Sequence, residues 1–153
     1  GMHLFFNMFT LYSFGGAVQG LFMAKLGSMG FVLFYLAALV VAIIPTYLKQ
    51  KNNPRYSSLG ASGAVSAVVF SYVLMNPWST LLVFFIPVPA IIFAALYVGY
   101  SVWADGQGRG GINHSAHLVG AIFGMLATIL VEPAIVPHFF NALMHPRFLG
   151  MGG

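Results

Sequence analysis

Long apolar runs separated by short polar gaps dominate the chain. Five stretches stand out, over residues 3–24, 29–48, 60–75, 89–104 and 112–131. A helix that crosses a membrane takes about 20 predominantly apolar residues, within a range of about 17–25. The first, second and fifth stretches reach that length, and the third and fourth fall short. The pattern predicts an all-α, polytopic transmembrane helical bundle of about five helices, with a core over residues 1–132. The tail, residues 133–153, is broken by Pro133, Pro137 and Pro146 and reads as too interrupted to span again.

The short third stretch carries information. It follows a polar loop over residues 49–59, so its helix can start below the membrane surface and still reach the other side. Irregular backbone at that depth is tolerated only when it is buried in protein or lines a wet cavity. Asn76-Pro77 should end this helix, because the residue before proline avoids helical geometry. Trp78 suits an interface. Residues 81–86 read as an interfacial connector, with Pro89 as the first residue of the next helix. Pro45 should kink the second helix near its end.

Composition sharpens this reading. The chain has 153 residues and a net charge of +4, with 5% charged, 59% hydrophobic and 16% aromatic residues. Its mean hydropathy is +0.90. An average soluble domain carries about 25% charged residues. The balance excludes a disordered chain, a nucleic-acid binder and an ordinary cytosolic enzyme, and it points to an integral membrane protein. The basic residues sit in the gaps between apolar runs, as loop anchors do. Cysteine is absent, and Asp105 and Glu132 are the only acids. Thiol mechanisms and carboxylate-pair mechanisms therefore have nothing to work with. The chain opens directly into an apolar run, which reads as a cut inside a longer chain.

Polar residues inside apolar spans become the candidates for chemistry, since polar groups in hydrocarbon are costly. Ser62 lies in Gly60-Ala61-Ser62-Gly63, at the start of the short third helix. Unpaired N–H groups there can stabilise an oxyanion. The same small residues also serve close helix packing. His117, Gly120 and Gly124 share one helix face, which would let another helix approach and meet the histidine. A histidine that only hydrogen-bonds across helices is the alternative. His3 and Asn7 also share a face; both can donate to an oxyanion, or cap and anchor a membrane end. His114 joins the face of His117. A metal site of His3, His114 and His117 lacks a nearby acid and a metalloprotease motif, so no metal or other cofactor is expected.

The order His3-xxx-Asn7, then Gly60-x-Ser62-Gly63, then Ala116-His117-xx-Gly120-xxx-Gly124 resembles the rhomboid intramembrane serine proteases, over nearly the whole chain. The resemblance implies Ser62 as nucleophile and His117 as general base, with no third acidic member. It implies an oxyanion hole from His3, Asn7 and the Ser62 N–H, and active-site helix packing through Gly60, Gly63, Gly120 and Gly124. It implies a serine endopeptidase whose partners are transmembrane protein substrates and membrane lipid, with no nucleic acid. The loops over residues 49–59 and 105–111 could provide a water route and a cap.

The chain departs from the family pattern in three places. The family core has six helices where five are visible, as though the helix before His3 were missing. An aromatic residue often found four positions after the nucleophile, stacked on the base, is Ser66. An acidic residue sometimes found near the end of the first retained helix is Gln19. A non-catalytic relative that binds transmembrane clients is the alternative function, and the presence of both Ser62 and His117 argues against it. The resemblance places the chain in a bacterial inner membrane. Positive charges at Lys49, Lys51, Arg55 and Arg109 conflict with the orientation usual there.

Overall fold

The computed structural model describes residues 2–55, 61–106 and 114–147. Among the described residues six helices form: α1 Met2–Leu26, α2 Gly30–Gln50, α3 Ala61–Met75, α4 Ala90–Gly106, α5 His114–Val131 and α6 Ile135–Met144. A two-stranded hairpin, β1 Thr80–Val83 and β2 Ile86–Pro89, lies between α3 and α4.

Helix α1 ends at Gly27, whose φ of +85° is the left-handed conformation that glycine adopts without steric cost. The Gly27 N–H donates to the Met23 carbonyl at 2.9 Å and closes the last turn. Three residues later α2 begins, so the two helices return side by side. Phe22 and Phe34 stack between them with ring centroids 4.1 Å apart. On α2 the inward stripe is Gly30, Phe34, Ala38, Ala42 and Thr46 at a spacing of four. Leu33, Leu36, Val40 and Ile44 face outward and are exposed. On α5 the inward stripe Gly120, Gly124, Thr128 is matched by exposed Ile122, Leu126 and Leu130. Helices apolar on both faces suit a lipid surround. By length and composition α2 and α5 can each cross a membrane.

Helix α3 is the centre of the molecule, with 12 of its 15 residues buried. One core cluster joins its Ala64, Ala67 and Val68 to Val18 and Phe22 of α1 and Phe34 and Ala38 of α2. A second joins Val69, Phe70 and Val73 to Leu81, to Ala90 and Ala94 of α4, and to Ala121 of α5. At about 1.5 Å per residue α3 is roughly 22 Å long, short of a 30 Å hydrocarbon core. It stops at Met75, ahead of Asn76-Pro77, as expected.

The structure adds detail to the expectations for the tail, the connector and Pro45, and moves the start of α4 from Pro89 to Ala90. A sixth helix, α6, forms in the tail, because the residues after Pro133 form a helix that passes through Pro137. At 10 residues it is too short to cross. The connector is a β-hairpin in which Val83 pairs with Ile86. Its two-residue turn is Phe84-Phe85, both with positive φ (49° and 67°), the geometry whose twist suits a tight hairpin. Pro89 ends β2 and α4 starts one residue later. Helix α2 continues through Pro45 to Gln50. A proline so near the end forfeits one backbone bond without ending the helix.

Helix α6 is tied to the foot of α3. The ring Nε2–H of His138 donates to the Met75 carbonyl at 2.8 Å, and Trp78 Nε1–H donates to the Ala142 carbonyl at 2.7 Å. Lys25, at the end of α1, forms an ion pair with Glu132, just after α5. Hydrogen bonding from Lys25 holds the Glu132 carboxyl below the usual carboxylate range.

Candidate active site

The site begins with how closely α3 and α5 approach. A methyl group at Gly120 would collide with the carbonyl of Gly63, and one at Gly124 with the backbone of Ala67. One at Gly63 would meet Ala42 Cβ at 2.5 Å. Small residues at a spacing of four therefore let two backbones touch, which drives helix association where lipid replaces water. One turn further, the Thr128 hydroxyl donates to the Gly124 carbonyl at 2.7 Å. Its proton is thereby used, so Ser71 Oγ, 2.5 Å from Thr128 Oγ1, is the donor to it. Gly63–Gly120, Ala67–Gly124 and Ser71–Thr128 form three rungs of one contact.

Above that contact α3 and α5 present Ser62 and His117 to one cavity of about 230 Å³. Asn7 and Thr10 of α1, Ser66 and Phe70 of α3, and Phe93 and Tyr97 of α4 also line it. Six of its ten lining residues carry polar side chains, in a chain with 5% charged residues. Ser62 is 9% exposed and is the second residue of α3, so its N–H is one of the four at a helix start without an intrahelical partner. His114 is buried, with its ring edge-on to Tyr100 and to His117 at centroid distances of 5.6 and 6.3 Å. It does not line the cavity.

The structure thus brings Ser62, His117 and Asn7 together, and puts Gly63, Gly120 and Gly124 at the helix crossing. Gly60 lies outside the described residues, as do residues 56–59 and 107–113, where half of the expected cap and water route falls. His3 is on α1, four residues before Asn7, and its side chain lies outside the described residues.

Reading from the sequence missed Tyr97. Its ring stacks on the His117 ring, with centroids 6.1 Å apart and planes 22° apart. Its hydroxyl shares a 3.0 Å hydrogen bond with Ser66 Oγ. A usable signal was present: a tyrosine hydroxyl and a serine in neighbouring apolar helices each need a partner where water is scarce.

A bundle of apolar helices with small-residue crossings, and a cavity lined by both a serine and a histidine, defines the class of polytopic membrane proteins. A family profile described as a rhomboid domain matches residues 1–134. RHOMBOID-like protein 12, mitochondrial, of Arabidopsis thaliana is 35% identical over 137 residues, covering 82% of this chain and 41% of that protein. The mouse Presenilin-associated rhomboid-like protein, mitochondrial, is 32% identical over 136 residues, 80% of this chain and 33% of its own length. Rhomboid protein 1, mitochondrial, of Saccharomyces cerevisiae is 28% identical over 138 residues, 87% of this chain and 39% of its own. No solved structure matches the chain significantly.

The chain belongs to the rhomboid family and is an integral membrane protein. It spans between 33% and 41% of the length of these three relatives. They carry mitochondrial names, so the bacterial type and bacterial inner membrane expected above find no support.

Proposed function

We propose that the protein is an intramembrane serine endopeptidase that cleaves transmembrane segments of other membrane proteins. The observation that carries this reading is the single cavity lined by Ser62, His117 and Asn7. Ser62 Oγ attacks the scissile carbonyl carbon while its proton passes to His117. The oxyanion that forms is stabilised by the Asn7 amide and the Ser62 N–H, both at the cavity. The resemblance adds the His3 ring to that set. The imidazolium then gives its proton to the leaving amine, the C–N bond breaks, and an acyl-enzyme on Ser62 remains. Water, deprotonated by His117, attacks the ester and regenerates the serine. A neutral serine–histidine pair suits this setting because a buried carboxylate would be far costlier to desolvate.

The test uses the whole protein in lipid vesicles with a single-span model substrate and a fluorophosphonate probe. The expected result is cleavage, with probe labelling at Ser62, and loss of both in Ser62→Ala. His117→Ala should be inactive while His114→Ala keeps activity. Undiminished cleavage by Ser62→Ala overturns the assignment. A protein that neither cleaves nor labels, yet retains transmembrane clients, is the non-catalytic alternative.

A further inference from the structure

A histidine that must take a proton from one group and give it to another has to keep its ring plane fixed while its charge changes. Donation of a ring N–H to a carboxylate is the common device. This chain has two acids: Glu132 lies just beyond the far end of α5 and pairs with Lys25, and Asp105 has a side chain outside the described residues. Among the described residues the rings against His117 include those of Tyr97 and His114, and the position four residues after Ser62 is the small Ser66.

We propose that Tyr97 is the positioning residue for His117, supplied from α4 and locked by Ser66. This rests on the serine–histidine reading above. Four contacts fix the Tyr97 ring. It stacks on His117 at 6.1 Å, and Ser66 Oγ lies 3.0 Å from its hydroxyl. Phe70 of α3 and Phe93 of α4 hold its other sides at centroid distances of 5.6 and 5.9 Å. A ring held by a hydrogen bond at its tip and aromatic rings around its body has little rotamer freedom left, so the imidazole stacked on it inherits a fixed plane. The electron-rich face of Tyr97 also favours the imidazolium that forms during the reaction. Ser66 then has a stated role: a larger side chain there would occupy the space of the Tyr97 hydroxyl. The orienting ring comes from α4, so the position of that helix bears directly on the base.

The experiment compares Tyr97→Phe, Tyr97→Met and Ser66→Ala in the full chain. Two readouts are used: cleavage of the single-span model substrate, and the ring resonances of His117 in histidine-labelled protein. Methionine keeps apolar volume without a flat face. Tyr97→Met should lower kcat by about ten- to a hundredfold with KM within about twofold, the scale of a misplaced catalytic group. It should also shift the His117 ring resonances. Tyr97→Phe retains the face but loses the Ser66 bond, so it should lower kcat about threefold, as Ser66→Ala does. Ser66→Ala should lower kcat about threefold without changing KM.

Wild-type kcat in Tyr97→Met overturns the proposal, as does equal loss in Tyr97→Phe and Tyr97→Met, which would give the role to the hydroxyl alone. If Tyr97→Met does not fold, unchanged kcat in Ser66→Ala overturns it. The resonances report the contact even in an inactive protein. Unshifted His117 signals in Tyr97→Met sink the positioning role, whereas full cleavage by Ser62→Ala sinks the protease reading instead.

Discussion

Single residues carry disproportionate weight where water is scarce. Thr128 is fully buried and donates to the Gly124 carbonyl while accepting from Ser71, which is also fully buried. Thr128→Val removes both bonds and leaves Ser71 to find another acceptor. Ser71→Ala removes one bond and leaves Thr128 satisfied by Gly124. The Ser71–Thr128 bond crosses from α3 to α5, where such bonds in membranes are worth about 0.6 kcal/mol on average and up to about 2, while the Thr128–Gly124 bond lies within α5 and supplies the acceptor geometry for it. Thr128→Val should therefore cost about 1–2 kcal/mol and Ser71→Ala about 0.5. Unfolding in detergent, measured side by side, checks the order; equal losses would mean that the Gly124 bond contributes nothing. Ser62, His117 and Asn7 were legible residue by residue, because polar side chains are rare in this chain and their motifs keep fixed spacings. Tyr97 was not, because its role depends on which helix faces α5 and no spacing along the chain reveals that.

Elements were legible wherever the apolar runs were long. The predicted starts and ends of the first five helices lie within two residues of the observed ones. The hairpin was read as a connector because its strands have four residues each, the second carries Pro87 and Pro89, and the Phe84-Phe85 turn lacks the Asn-Gly signal. Helix α6 was missed because its interior proline counts against a helix, while His138 and Trp78 tie it to α3 and its foot through partners distant in sequence. The α3–α5 pair is the element-level determinant of the site. Gly124→Ala would put a methyl into the Ala67 backbone, which cannot yield as a side chain can. The helices must separate, at a cost of about 1–3 kcal/mol. His117 sits two turns away on the same face, so activity should fall at least as steeply as stability. Wild-type cleavage and melting by Gly124→Ala would contradict this packing.

At the scale of the whole molecule, Lys25 and Glu132 join the end of α1 to the end of α5. The Glu132 carboxyl is held below its ordinary pKa mainly by the Lys25 hydrogen bond. A carboxyl with a depressed folded pKa stabilises the fold above its unfolded pKa of about 4.3. That contribution is lost as pH falls through the folded value. Wild type should exceed Glu132→Gln in stability near neutral pH, and the gap should close in acid; a constant gap across that range would exclude the ion pair as its cause. By itself the sequence determined a membrane-embedded all-α chain, the extent of its long helices, and a serine–histidine set with small residues beside it. Composition and periodicity are local and survive without a fold. Only the tertiary structure decided that Ser62, His117 and Asn7 share a cavity, that α6 docks under α3, and that Tyr97 lies against the base. Those facts depend on contacts between residues far apart in the chain, where packing rather than pattern chooses the partner.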